Sequence, residues 1–186
     1  RDRSPSRGLG DVYKRQGHYV SDVASQKPAV PFGALSSIAD VRDFLRFRVN
    51  IEVESAALAA QANQESHVQI KMAHQRMSAA VASHRSGIEE DLAFHIAVAR
   101  ASGNRFYVLT MEALAEQMRF SVQLIRDLSG RPSAGRTTAV LDEHAAIEAA
   151  IAARDPQRAR QAMEAHLLGG IDRLFGTVLT LSLIHI

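Results

Sequence analysis

From Ser36 to about residue 176, apolar side chains recur every three or four positions, and the segments that carry them are separated by residues that cap helices. This spacing places the apolar side chains of each segment on one face of an α-helix. Alanine and leucine are abundant, and the β-branched alternation that is typical of strands is nearly missing after residue 35. The sequence therefore predicts an all-α domain, an antiparallel bundle of about six helices.

Capping residues set the expected helix boundaries. Ser36 and Ser37 can cap the first helix, and Asn63 separates it from the second. Gly103 suits a left-handed helix end and Asn104 suits the cap of a long fourth helix. The residue pair 155–156, aspartate followed by proline, is typical of a cap and first turn and opens the sixth helix. The expected helices cover 38–62, 64–83, 88–101, 105–127, 138–154 and the segment from 156 onward, and the stretch LSGRPSAGRT is a loop.

The ends of the chain lack this pattern. Residues 1–16 have no apolar period and the terminal LSLIHI is an abrupt apolar run, so we interpret both as non-native sequence and exclude them from fold reasoning. Residues 17–35 start with GHYV, which is typical of a strand end, and continue as a linker with two prolines. The expected domain is 36–176, followed by a tail at 177–186.

Composition excludes several classes of protein. Residues 1–16 carry five basic and two acidic side chains, so the formal charge of +2 for the whole chain leaves about −1 for the remainder. A basic balance is therefore no argument for nucleic-acid binding by the domain. The chain has no cysteine, which excludes disulfides and thiolate metal sites. With neither a membrane span nor a signal peptide in view, we expect a cytoplasmic protein without a membrane partner.

Four polar residues on apolar-periodic segments form a candidate metal site. Asp91 and His95 are four residues apart in one predicted helix, so both side chains project from one face. His144 and His166 lie on two further predicted helices and can complete the site from facing sides of the bundle. The set indicates a central pocket that belongs to either a catalyst or a sensor. As an alternative, Asp91 is a first-turn charge that favours the helix dipole.

Three stretches carry a resemblance to a known family. They are RVNIE followed by AALAAQA in the first helix, DLAFHIAVARASGN in the third, and DEHAAIEAAIAARDPQRARQAMEAHL across the last two. Their order and spacing resemble the effector-binding FCD domain of GntR-family transcriptional regulators, in the FadR subfamily, over about residues 36–170. GHYV resembles the end of the wing in the winged helix-turn-helix that precedes this domain. The resemblance implies a regulator whose DNA-reading half is missing, so that this fragment does not bind an operator by itself.

The resemblance also implies a ligand set and an effector. In the metal-dependent branch of the family, an aspartate and a histidine one turn apart and two later histidines hold the ion, which matches Asp91, His95, His144 and His166. Three imidazoles and one carboxylate suit zinc, or else nickel or manganese, with positions left open. A small organic acid, such as a sugar acid, hydroxy acid or dicarboxylate, would coordinate the ion and control DNA binding by a homodimer. Arg48 would clamp this acid, or alternatively pair only with Glu52.

Two other functions compete with the sensor. A helical-bundle metal hydrolase would use the same four ligands to activate water, and the nearest general base in the sequence is Glu148, one turn after His144. No nucleophile arrangement or phosphate-binding glycine loop appears, so we expect no enzymatic activity. A purely structural dimerisation module would require the four ligands to be incidental. His67, His74 and His84 are interpreted as ordinary surface or core residues, and the row Leu114, Met118, Val122 and Ile125 as core or dimer surface.

Overall fold

The computed structural model describes residues 32–128 and 134–184, and this part of the chain is helical apart from short connections. Seven helices follow one another: α1 (Ile38–Ala59), α2 (Gln64–Ala82), α3 (Ile88–Ala101), α4 (Arg105–Ala113), α5 (Ala115–Leu128), α6 (Ala134–Ala152) and α7 (Pro156–Ile184). The predicted all-α class is therefore confirmed. GHYV and most of the residues expected to be non-native lie outside the described residues.

Four helix starts follow the capping chemistry that the sequence predicted, but α6 begins at Ala134, inside the stretch that was expected to be a loop up to residue 137. Ser37 and Asp40 form a reciprocal capping box at the start of α1. Asn63 and Asn104 cap α2 and α4 by accepting hydrogen bonds from backbone N–H groups, and Gly103 has a φ of 72° before that second cap. The side chain of Asp155 accepts a hydrogen bond from the backbone of the first turn of α7.

The predicted long fourth helix was wrong. The chain breaks at Leu114, whose φ of −93° and ψ of 6° end α4, and α5 starts at the next residue. Leu114 is 2% exposed and packs with Met111 and Met118 in a hydrophobic cluster. Because the break contains neither glycine nor proline, tertiary packing rather than local propensity explains it.

Two hydrophobic clusters form the core, and α3 contributes to both. Phe94 and Val98 belong to a cluster shared with α1, α2, α6 and α7. Leu92 and Ala99 belong to a second cluster with α1, α4, α5 and α7. Since α3 packs against α1, α2, α4 and α5, its side chains are fixed from several directions. Among the described helices, none is both long enough and apolar enough to cross a membrane.

Candidate metal centre

The structure brings the four predicted ligand residues together. Asp91 and His95 lie on α3, His144 on α6 and His166 on α7, and all four are buried. Each histidine offers a ring nitrogen, and these three atoms lie within 4.8 Å of one another, whereas Asp91 is not part of this group. Three separate helices therefore converge on one small volume.

Asp91 faces the histidines as the helical spacing predicted. Its Oδ1 lies 3.2 Å from Nε2 of His144, and its Oδ2 lies 4.0 Å from Nε2 of His95. Asp91 also belongs to the acidic first turn of α3, with Glu89 and Glu90. The two interpretations of this aspartate are thus compatible, because one carboxylate both interacts with the helix dipole and faces the histidine cluster.

Two histidines of the cluster donate hydrogen bonds through Nδ1, and the third contacts a carboxylate there without hydrogen-bond geometry. His144 Nδ1 donates to the carbonyl oxygen of Val140 at 2.8 Å, and His166 Nδ1 donates to Oε2 of Glu143 at 2.9 Å. His95 Nδ1 contacts the carboxylate of Glu52. Protons on the three Nδ1 atoms leave the Nε2 lone pairs free, and outer acceptors of this kind orient histidines that bind metals.

The Nε2 atoms test whether the residues fit a metal ion. Within the described part of the chain, Nε2 of His95 and Nε2 of His144 are buried and make no hydrogen bond of acceptable geometry. A buried polar atom without a partner costs on the order of 1–3 kcal/mol. A divalent ion held by the three histidines would satisfy both lone pairs, so the histidine donor set fits such an ion.

The electrostatics of the cluster keep its carboxylates ionised and one histidine neutral. Burial opposes ionisation of Glu52, but Arg48 and His95 outweigh this effect and lower its pKa to about 2. The pKa of Asp91 is also lowered, because its close contact with His144 and the charge of the neighbouring histidines outweigh its burial. Burial and the proximity of His144 lower the pKa of His166 to about 3. Ionised carboxylates and neutral imidazoles are the states that bind metals.

A cavity of about 880 Å³ lies against the cluster. Asp91 and His166 form part of its wall, and four arginines also line it: Arg48, Arg85, Arg126 and Arg173. Val122 and Ile125, which were expected in the core or at a dimer surface, lie on the cavity wall as well. A cavity with four guanidinium groups suits an anionic ligand.

Arg48 makes the pair with Glu52 that the sequence left as one alternative, and it also lies on the cavity wall. Its Nε donates to Oε1 of Glu52 at 2.7 Å, which is the i, i+4 pair. The residue is nevertheless on the cavity wall and only 3% exposed, and its Nη2 atom is buried without a hydrogen-bond partner among the described residues. One guanidinium nitrogen of Arg48 thus binds Glu52, and another has no protein partner among the described residues.

The sequence reading missed two carboxylates next to the cluster. Glu52 contacts His95 from α1, and Glu143 binds His166 and also accepts hydrogen bonds from Arg173 at 2.7 and 3.0 Å. Glu148, which the sequence offered as the nearest base, instead pairs with His74 at 2.5 Å. The i, i+4 spacing of Arg48 and Glu52 indicated that these two side chains pair. The contacts of the two carboxylates with the histidines join different helices, and the periodicity of the sequence does not reveal such contacts.

His67 and His84, which were expected to be ordinary core or surface residues, lie outside the histidine cluster. Nε2 of His67 lies 3.1 Å from the carbonyl oxygen of Ala59, and the ring is buried. His84 is exposed on the helix end that follows α2, although it lines the outer part of the cavity. Neither belongs to the histidine cluster.

Comparison with known proteins identifies the domain. The family model described as the FCD domain matches residues 43–169, which include all four residues of the cluster and Arg48. The chain belongs to the FCD-domain family. It is similar to the HTH-type transcriptional regulator LutR of Bacillus subtilis strain 168, with 29% identity over 91% of this chain and 78% of that protein.

Other relatives agree with this family. The Glc operon transcriptional activator of Escherichia coli K12 is 34% identical over 67% of this chain and 51% of its own length, so the chain spans about half of that relative. The solved structure of Streptococcus agalactiae GntR matches with a TM-score of 0.60 at 19% identity and covers 72% of this chain and 58% of that chain. At this identity the match shows a shared fold. The FCD chain is thus an effector-binding domain of the GntR family of transcription regulators.

Proposed function

We propose that this FCD domain senses a small organic acid through a bound divalent metal and thereby controls DNA binding by a dimeric bacterial regulator. Asp91, His95, His144 and His166 hold the ion, which is zinc, with nickel or manganese as alternatives. The ion supplies an open coordination position for a carboxylate of the acid. Arg48 binds the acid through its free Nη2 atom.

One observation carries the proposal: one ring nitrogen of each buried histidine lies within 4.8 Å of the other two, while Nδ1 of His144 and of His166 binds a protein acceptor and Nδ1 of His95 contacts Glu52. Histidines that serve only as core residues would have no reason to leave unpaired nitrogens together. The adjacent cavity and its arginines support an anionic ligand of the class of sugar acids, hydroxy acids or dicarboxylates.

Elemental analysis of protein purified without a histidine tag or chelator tests the metal. We expect about one equivalent of zinc, nickel or manganese per chain. His144→Ala should lose most of this metal and keep its helical circular dichroism, because it removes a ligand but no helix. His67→Ala, a buried histidine outside the cluster, is the control and should keep the metal. Metal-free wild-type protein, even after zinc is added and excess removed by dialysis, would reject the site.

The hydrolase alternative is disfavoured by the state of the nearby carboxylates. A general base needs a free carboxylate or imidazole within reach of the metal-bound water. Glu52 and Glu143 are each bound to a histidine and an arginine, and their pKa values are lowered to about 2, which makes them weak bases. Glu148 is paired with His74. We therefore assign a sensor and no enzymatic activity, in agreement with relatives that are named transcriptional regulators.

Dimerisation and DNA binding complete the proposal. Phe106 and Phe120 on α4 and α5 are 69% and 47% exposed, and aromatic side chains of this kind are enriched at protein interfaces. We assign part of the homodimer contact to α4 and α5. DNA would be bound by an N-terminal domain of the full-length regulator, which would act in the cytoplasm.

A further inference from the structure

Two carboxylates outside the proposed ligand set each join an arginine of the cavity wall to a histidine of the cluster. Glu52 accepts a hydrogen bond from Nε of Arg48 through one oxygen and contacts Nδ1 of His95 with the other. On the other side, Glu143 connects Arg173 with His166. Each bridge joins residues of different helices.

The two bridges differ in what the arginine offers to the cavity. Arg173 directs both terminal nitrogens at Glu143. Arg48 gives only its Nε to Glu52, and its Nη2 atom remains buried and unpartnered among the described residues. Glu52 therefore fixes two groups at once, one of which points at the histidine cluster and one at the cavity.

We infer that Glu52 is a positioning residue that holds His95 in its metal-binding tautomer and orients the free nitrogen of Arg48 toward the acid. The inference rests on the proposed metal function. An acceptor at Nδ1 keeps the proton on that atom and leaves Nε2 unprotonated, and a negatively charged acceptor also raises the basicity of the imidazole. Because Glu52 is 3% exposed, water cannot replace it in this role.

A variant of Glu143 distinguishes the proposed role of Glu52 from a general effect of removing a negative charge near the cluster. The Glu143→Gln change should disturb His166, whose Nδ1 it accepts, and leave His95 and Arg48 unchanged. Glu54 is the matched control on α1, since it also pairs with an arginine, Arg160, but both side chains are partly exposed and neither contacts the histidine cluster. Glu54→Gln should change neither ring.

Zinc affinity of the full chain, measured by competition with a chromophoric chelator, tests the metal side. We expect Glu52→Gln to weaken zinc binding about tenfold or more, in the range found when outer partners of metal-binding histidines are removed. Glu54→Gln should bind zinc as the wild type does. Equal affinity of Glu52→Gln and wild type would overturn the inference and leave the metal site intact. Absence of zinc binding by the wild type would instead reject the proposed function.

Nitrogen-15 NMR of the histidine rings gives a readout that needs no metal. In metal-free wild type, His95 should show a protonated Nδ1 and an unprotonated Nε2. Glu52→Gln should populate the other tautomer of His95 and broaden the Nε signal of Arg48. If the single variant fails to fold because Arg48 keeps a buried charge without its partner, the double variant Arg48→Gln/Glu52→Gln removes that charge. A wild-type His95 tautomer in the folded double variant would also overturn the inference.

Discussion

At the scale of single residues, the chemistry of the histidine cluster depends on which ring nitrogen of each histidine carries the lone pair. A buried imidazole whose Nδ1 donates to a fixed acceptor is held in one tautomer. The direction of the lone pair on its Nε2 atom is therefore fixed by the backbone that carries the residue. Val140, Glu143 and Glu52 provide these acceptors from α6 and α1. The position of the three lone pairs thus depends on a backbone carbonyl group and two carboxylates that lie outside the proposed ligand set.

The lowered pKa of His166 predicts a pH dependence of stability in metal-free protein. Its pKa is about 3 in the folded state, against about 6.5 when unfolded. The unfolded chain therefore takes up the proton first, and stability falls as pH decreases from about 6.5 toward 3. Carboxylates with lowered pKa values add to this loss only below about pH 4.5, near their unfolded values.

Urea unfolding at pH 6.5 and 4.5, with chelator present, checks this prediction. Wild type should lose roughly 2–3 kcal/mol between these pH values from His166 alone. His166→Gln should lose clearly less over the same interval. His84→Asn, at an exposed histidine with a φ of 57°, is the control and should keep the wild-type slope. Identical slopes for wild type and His166→Gln would show that His166 titrates normally.

At the scale of helices, the sequence predicted α3 residue for residue and the caps of α2, α4 and α7, because their signals are local. The break at Leu114 was not predictable, since packing against Met111 and Met118 causes it. The residues of the site also divide into those with a local signal in the sequence and those without one. Asp91 and His95 share a helix, and the resemblance supplied His144 and His166. The contacts of Glu52 with His95 and of Glu143 with His166 join different helices, which spacing along one helix cannot reveal.

The start of α3 sets where Asp91 and His95 lie, and Gly87 determines that start. Gly87 is the N-cap residue with a φ of 67°, a conformation that costs an L-residue about 1–2 kcal/mol. Gly87→Ala should therefore destabilise the domain by about that amount. The nearest atoms to an added Cβ are at 3.8 Å or more, so the loss would come from the backbone conformation rather than from a clash.

Substitution of Gly176 should have the opposite effect on the stability of the domain. It lies inside α7, and an added Cβ would have no atom within 4 Å. Gly176→Ala should stabilise the domain by up to about 1 kcal/mol because alanine is the better helix former. Thermal unfolding of both variants measures the pair. A stabilising Gly87→Ala would mean that α3 can begin with an ordinary backbone conformation.

At the scale of the whole molecule, the cavity lies where the helices that carry the cluster meet the arginines of its wall. Arg48 comes from α1, Arg126 from α5 and Arg173 from α7, and all three reach the same cavity. A ligand that bridges these side chains would connect elements from both hydrophobic clusters of the core. Its binding energy would therefore appear in the stability of the domain as a unit.

Thermal unfolding in the presence of organic acids tests this link. In zinc-loaded protein, a matching acid at 100 times its dissociation constant should add about 2.7 kcal/mol of stability. We would compare D-gluconate, L-lactate and L-malate as a sugar acid, a hydroxy acid and a dicarboxylate. Arg48→Ala should reduce the shift strongly, and Arg46→Ala, at an exposed position of the same helix, should keep it. Equal shifts in both variants would remove Arg48 from the acid site.

The engaged Nδ1 atoms have a consequence for competition between metals in the cell. An ion that binds three fixed imidazole nitrogens must lose most of its bound water molecules. It then has little freedom to keep an octahedral coordination shell. Magnesium dehydrates reluctantly and prefers oxygen ligands at near-ideal octahedral geometry. We therefore expect magnesium to compete only weakly for the proposed site.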